Sequence, residues 1–164
     1  MRRKRSQPNI RDEEAARSKC LRLLATRARS AAELRQSLRR GGFDEDVIAV
    51  ALADLERAGL INDEEFARSW VASRRQSGGR GRVQLRWELR RKGIPQELIR
   101  RFVDEGIDDE SEVQQALELA ERRLRGKPEP KALYRVQRLL LTRGFEFEVV
   151  NSVLKQLSAE GEHQ

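Results

Sequence analysis

The chain has 164 residues, with 34 Lys and Arg against 27 Asp and Glu, a net charge of +7 and a pI of about 10.3. Its single cysteine, Cys20, excludes an internal disulfide framework or a cysteine-based zinc site, and no apolar run approaches the ~20 residues a membrane-spanning helix needs. Charged residues make up 37% and mean hydropathy is −0.75, but the apolar residues keep helical spacing, which argues against general disorder and for an all-α chain.

Residues 1–11 are basic and aperiodic, with Arg2-Arg3-Lys4-Arg5 and no apolar stretch behind them; they read as a disordered leader rather than a secretory signal. A first unit, 12–59, follows. Ala16, Cys20, Leu23 and Leu24 share one helical face, and Cys20 reads as a small buried apolar residue. Ser30-Ala31-Ala32-Glu33 is a capping box that opens a second helix with Leu34 and Leu38 inward. Asp44 reads as the cap of a third helix, which turns Ile48, Ala51, Leu52 and Leu55 inward and closes near Gly59.

The second unit, 60–107, opens at Asn62-Asp63-Glu64-Glu65, an N-cap with acids in the first turn. Phe66, Ala67, Trp70 and Val71 form its apolar face, and Ser77-Gly78-Gly79-Arg80-Gly81 reads as a flexible joint. Leu85 and Leu89 carry the next helix, and Pro95 suits the first turn of the one that buries Leu98, Ile99, Phe102 and Val103. The third unit, 108–158, is expected to begin its first helix near Ser111-Glu112, with Val113, Ala116, Leu117, Ala120 and Leu124 on one stripe. A break at 126–130 precedes a helix with Leu133, Val136 and Leu140, then a last one with Val149, Val150, Val153, Leu154 and Leu157. The polar end, 159–164, reads as a frayed tail.

The three units are copies. Gly42, Gly93 and Gly144 stand 51 residues apart, and around them Leu38 with Phe43, Leu89 with Ile94 and Leu140 with Phe145 repeat in register. A glycine just past a helix end, followed by an apolar residue that packs back one turn, describes a Schellman stop. Each copy therefore contains a sharp, apolar-pinned reversal. The expected architecture is three tandem three-helix repeats, helix-turn-helix-like, in an elongated, curved array that acts through the surface it presents.

No enzyme chemistry stands out, and none is expected. The only histidine, His163, is next to the last residue. Metal-ligand spacing is absent, and the glycines at 78–81 lack the Lys-Ser/Thr of a P-loop. Charge placement is more informative. From Arg68 to Lys92 nine cations face one acid, Glu88. Arg82, Arg86 and Arg90 follow at i, i+4 and i+8; by the 51-residue register Arg86 and Arg90 match Arg35 and Arg39 of the first copy, but Gln137 and Leu141 of the third. Such a stripe is either a solvated helix face or a binding surface; like charges at i, i+4 repel, which favours binding. The candidate surface is Arg35, Arg39, Arg74, Arg75, Arg80, Arg82, Arg86, Trp87, Arg90, Arg91 and Lys92. Trp87 points away from the Leu85–Leu89 face, either to pack on a neighbouring repeat or to stand exposed as an anchor. Eight acids between Asp104 and Glu121, uninterrupted by Lys or Arg, are either helix caps with a polar linker or a patch for a basic partner.

Gly59-Leu60-Ile61-Asn62-Asp63, then Phe66-Ala67, Gly81, Leu85, Glu88-Leu89 and Lys92-Gly93-Ile94 resemble the signature stretch of the RecX family of bacterial recombination regulators. Ser30, Glu33-Leu34, Leu38 and Gly42-Phe43 resemble that family's first repeat; the third repeat matches less closely, and the basic leader lies outside the pattern. The resemblance covers about residues 14–157. It implies a cofactor-free modulator that binds RecA and RecA–single-stranded DNA filaments in their helical groove, and with no spanning run or secretory signal the protein is expected to stay in the cytoplasm. Such a protein restrains ATP hydrolysis, strand exchange and co-protease activity, in DNA repair and the SOS response. A monomer is expected, with weak direct contact to single- or double-stranded DNA as a further expectation. The alternative is a DNA-binding protein of tandem helix-turn-helix-like units. It fits less well, because the cations lie on the middle helices while helices 44–58 and 146–157 are acidic or nearly neutral.

Overall fold

Helices account for all the regular structure among the described residues, 10–124 and 128–162 of a computed structural model. They run in the order α1 (Ile10–Thr26), α2 (Ala31–Arg40), α3 (Glu45–Arg57), α4 (Asp63–Gly78), α5 (Arg82–Arg91), α6 (Gln96–Ile99, carried on by a π-helix over Arg100–Asp104), α7 (Asp109–Arg123), α8 (Pro130–Thr142) and α9 (Phe147–Glu162). The leader residues 1–9, the linker residues 125–127 and His163 lie outside the described residues.

Local signals decide the helix ends. The Ser30 hydroxyl accepts from the Glu33 N–H at 3.1 Å and the Glu33 carboxylate accepts from the Ser30 N–H at 3.0 Å, so the capping box at α2 is closed. Asn62 caps α4 through the Glu65 N–H at 3.0 Å. Other helix ends depart from the sequence reading: α1 starts at Ile10, inside the stretch read as a leader. Asp108 accepts from the Ser111 N–H at 2.7 Å, which starts α7 at Asp109, ahead of Ser111. Asp44 sits at the N-cap of α3, yet its side chain makes no capping bond. At the chain end α9 continues to Glu162, past the polar boundary at Ser158.

The helices gather into two compact units. One comprises residues up to Phe66 together with Lys92–Ile94. In it α1 packs on α3 and both on α2, around Ala16, Cys20, Leu34, Leu38, Ile48 and Leu52. Each fully buried leucine contributes roughly 2 kcal/mol relative to exposure. The other unit comprises Ala67–Arg91 and Pro95 onward. There α7, α8 and α9 pack pairwise around Ala116, Ala120, Val136, Leu140, Val150 and Val153, while Leu85, Leu89, Ile99 and Val103 are fully buried.

The repeated reversal has the expected form. Phe43 N–H donates to Leu38 C=O at 3.2 Å and Gly42 N–H to Arg39 C=O at 3.0 Å. Phe145 and Gly144 do the same with Leu140 and Leu141, both at 3.1 Å. The reversals also serve as docking points. In the first unit the Ser30 hydroxyl donates to Lys92 C=O at 2.5 Å. In the second unit Gly81 N–H donates to Arg143 C=O at 2.9 Å and Val83 N–H to Gly144 C=O at 3.0 Å. Positions 30 and 81 are register mates, as are 92 and 143, so the same joint is made twice.

Candidate functional site

The middle helix of the second repeat, α5, is where sequence charge is densest, and its geometry divides the candidate residues into two kinds. Arg82 is buried: its guanidinium donates to Ile107 C=O at 2.6 Å and Asp109 Oδ1 at 2.7 Å, and its N–H to Glu112 Oε1 at 2.8 Å. Arg75, at the end of α4, donates to Glu112 Oε2 at 2.7 Å and to the carbonyl and hydroxyl oxygens of Ser111 at 3.1 Å each. Arg86 joins two carboxylates, Asp104 and Glu146, at 2.7 Å each. Burial disfavours its charge, but the hydrogen bonds to these two acids outweigh that and push its pKa up.

Glu88 collects another group. Trp70 Nε1 donates to it at 2.9 Å, Arg74 Nε lies 3.3 Å away and Arg80 Nε 3.6 Å away, with the Arg74 guanidinium 4.5 Å from the centre of the Trp70 ring. Lys92 belongs to the other unit, where it pairs with Glu33 at 3.0 Å. There Arg39 pairs with Glu45 at 2.5 Å on the open surface, an arrangement worth little to stability.

The stripe is therefore not a continuous free cationic face. Arg82 and Arg86 turn to acids supplied by the segment 104–112 and by Glu146. The basic run at 68–92 and part of the acidic run at 104–121 are partners within the chain, which removes the expected folding penalty of an unopposed stripe. The sequence signal was present, as opposite charge blocks in successive repeats, but pairing them requires knowing that α5 lies beside the start of α7.

The remaining candidates face solvent. Trp87 is 50% exposed, and the Arg91 guanidinium lies 4.8 Å from its ring centre, one turn along α5. That settles the direction of the indole: it stands outward as an aromatic–cation pair, with Val83 exposed one turn earlier. Arg90 is exposed and reaches only the Gln96 amide oxygen, at 3.5 Å. Arg35, the register mate of Arg86 on α2, is exposed as well.

Another basic surface escaped the register comparison. Arg122 and Arg123 at the end of α7 face Arg135 and Arg138 of α8 across a cleft in the second unit. Register positions 137 and 141 carry Gln and Leu, so the 51-residue echo does not point here; the pair at 122–123 and the i, i+3 spacing of 135 and 138 were the available signal. Among the described residues no group of acids, histidines and cysteines could hold a metal ion, and no helix is long and apolar enough to cross a membrane.

Three family models match in chain order: the first three-helix domain of RecX at residues 16–55, the second at 62–101 and the third at 109–154. The regulatory protein RecX of Amycolatopsis mediterranei is 44% identical over 140 residues, which span 84% of this chain and 79% of that one. That of Mycolicibacterium smegmatis is 38% identical over 160 residues, 93% of this chain and 85% of the other. Among solved structures, the crystal structure of RecX from Lactobacillus salivarius superposes with a TM-score of 0.80 over 92% of this chain and 99% of that one, at 22% identity. A crystal structure of regulatory protein RecX superposes with a TM-score of 0.73 over 87% of this chain and 72% of that one, at 27% identity.

Proposed function

The chain belongs to the RecX family of regulatory proteins, and we propose that it regulates the RecA recombinase by binding RecA and RecA–single-stranded DNA filaments. On this reading it is a cytoplasmic, monomeric modulator rather than an enzyme. Binding restrains RecA's ATP hydrolysis, strand exchange and co-protease activity, and so sets the strength of recombinational repair and of the SOS response. The observation that carries the proposal is the match of all three RecX domains, in order, over residues 16–154.

The chemistry of the exposed residues supports a protein-binding role. Trp87 with Arg91 offers a large, half-exposed ring beside a cation, the kind of pair that dominates interface energetics. We assign the RecA-facing contact to Trp87, Arg90 and Arg91. Arg75, Arg82 and Arg86 tie the second repeat to the third and act on the partner only through the shape of that unit.

The test is RecA's DNA-dependent ATPase with increasing amounts of the full chain. Falling hydrolysis at sub-filament concentrations is expected. Undiminished hydrolysis together with unchanged filament lifetime refutes the proposal. Tight sequence-specific binding to bare duplex, without RecA, would instead favour a helix-turn-helix DNA-binding protein.

A further inference from the structure

The cleft between α7 and α8 has a volume of about 530 Å³, and five arginines line it: Arg122 and Arg123 from α7, Arg135 and Arg138 from α8, and Arg143 just beyond it. A neighbouring hollow of about 460 Å³ shares Arg122, Arg123 and Arg135, so the basic surface is continuous. The protein does little to neutralise it. Arg143 donates to Gly78 C=O at 2.5 Å, and Arg122 reaches Glu118 only at 3.5 Å on the open surface. Among the described residues Arg123, Arg135 and Arg138 have no acid partner. Glu121 lies two residues before Arg123 on α7, a spacing that sets the two on different faces of the helix.

The contrast with α5 is informative. Where guanidinium groups hold the fold together, as at Arg75, Arg82 and Arg86, acids from elsewhere in the chain meet them at 2.7 Å. In the α7–α8 cleft the cations converge from two walls with only Glu118 near them, at 3.5 Å from Arg122, and an anion from outside would relieve their mutual repulsion. Cations on both walls suit a narrow polyanion that is charged along both sides, and guanidinium forks suit phosphate oxygens. An exposed aromatic ring stands on α8 outside the cleft lining, beside two of its arginines in the sequence. Tyr134 is 60% exposed, lies next to Arg135 and stands one helical turn before Arg138. A basic channel flanked by a bare ring is how proteins hold single strands, with phosphates on the cations and a base on the ring.

We infer that the α7–α8 cleft of the third repeat binds the phosphodiester backbone of single-stranded nucleic acid, with Tyr134 stacking on a base. This binding does not depend on RecA.

The experiment is fluorescence anisotropy of a fluorescein-labelled oligothymidylate titrated with the full chain over a range of salt concentrations. The double variant Arg135→Ala/Arg138→Ala should bind at least about tenfold more weakly at low salt, with a salt slope shallower by about 1.4, at ~0.7 per lost phosphate contact. Tyr134→Ala should weaken binding by roughly fivefold or more at unchanged slope. All three side chains are exposed, so thermal unfolding should match the parent protein. The inference is overturned if the parent does not bind the oligonucleotide at low salt, if the arginine pair can be removed without loss, or if Tyr134→Ala binds as tightly as the parent. A double variant that keeps oligothymidylate but loses RecA filaments would assign the cleft to an acidic protein surface instead. Failure to inhibit RecA, with oligothymidylate binding of the expected kind, leaves this inference standing.

Discussion

The carboxylate of Glu112 is fully buried and accepts from the Arg75 guanidinium at 2.7 Å, while its other oxygen accepts from the Arg82 N–H at 2.8 Å. The first turn of α7 is thereby tied to the end of α4 and the start of α5. Removing one partner of a buried pair strands the other without solvent or counter-charge. Glu112→Ala should therefore lower unfolding free energy by about 3–5 kcal/mol, read from urea denaturation. Glu121→Ala, on the exposed side of the same helix, should change it by less than about 0.5 kcal/mol. A Glu112→Ala loss no larger than that of Glu121→Ala would show that the tie is peripheral.

Gly42 and Gly144 have the same backbone conformation, φ +81° and +84°, but different surroundings. A Cβ at Gly42 meets nothing within 4 Å, whereas one at Gly144 would stand 2.4 Å from the backbone nitrogen and Cβ of Gln84. Gly42→Ala should cost about 1–2 kcal/mol, the left-handed strain alone. Gly144→Ala adds a backbone clash at the joint with α5 and should cost several kcal/mol more, on the order of a severe core overpacking. Thermal unfolding of the two variants side by side measures the joint; equal losses would mean that the α8–α9 reversal does not press on α5.

Glu33 links the capping box to the docked reversal. Burial alone would raise its pKa, but hydrogen bonds from Arg27, Lys92 and the Ser30 N–H prevail and hold it at about 2. Its folded pKa is below the ~4.3 of an unfolded chain. The stabilisation is thus present above that value and is lost as pH falls from about 4.5 towards 2. Part of the side chain reaches solvent, which reduces the effect to an order of 2 kcal/mol at neutral pH. Glu33→Gln should be less stable than the parent by that amount at pH 7, and the gap should close by about pH 2. A gap that persists at low pH would assign the effect to shape rather than charge.

The repeat, the reversals and the inward leucines were legible because they are local or periodic. A glycine with its apolar partner five residues away, as at Leu38 and Phe43, declares itself without tertiary information. The candidate surface was less legible because charge in a sequence carries no address. Arg86 and Arg90 look alike in the helical pattern, yet one bridges Asp104 and Glu146 and the other is exposed. Only the fold brings Glu146 to a residue 60 positions earlier. The same limit hid the α7–α8 cleft, whose two walls are separated in sequence by the linker before Pro130.

Reversing the charge of Arg86 would place a third carboxylate beside Asp104 and Glu146, so any loss of binding in such a variant would be confounded by unfolding. Trp87 and Arg91 have no such second duty: the indole is half exposed and the guanidinium rests on its face. Arg90→Glu/Arg91→Glu should therefore leave unfolding within about 0.5 kcal/mol of the parent, and Trp87→Ala, which removes a half-buried indole, should cost on the order of 1–2 kcal/mol without unfolding the chain. If these residues form the centre of the RecA-facing surface, Trp87→Ala should weaken filament binding by about 2 kcal/mol or more, roughly thirtyfold. The charge-reversed pair should slow association and flatten its dependence on salt. Surface-immobilised RecA filaments with the variants in solution give both rates. Parent-like kinetics in Trp87→Ala would move the interface off α5, and parent-like salt dependence in the charge-reversed pair would show that α5 meets RecA through shape and apolar contact alone.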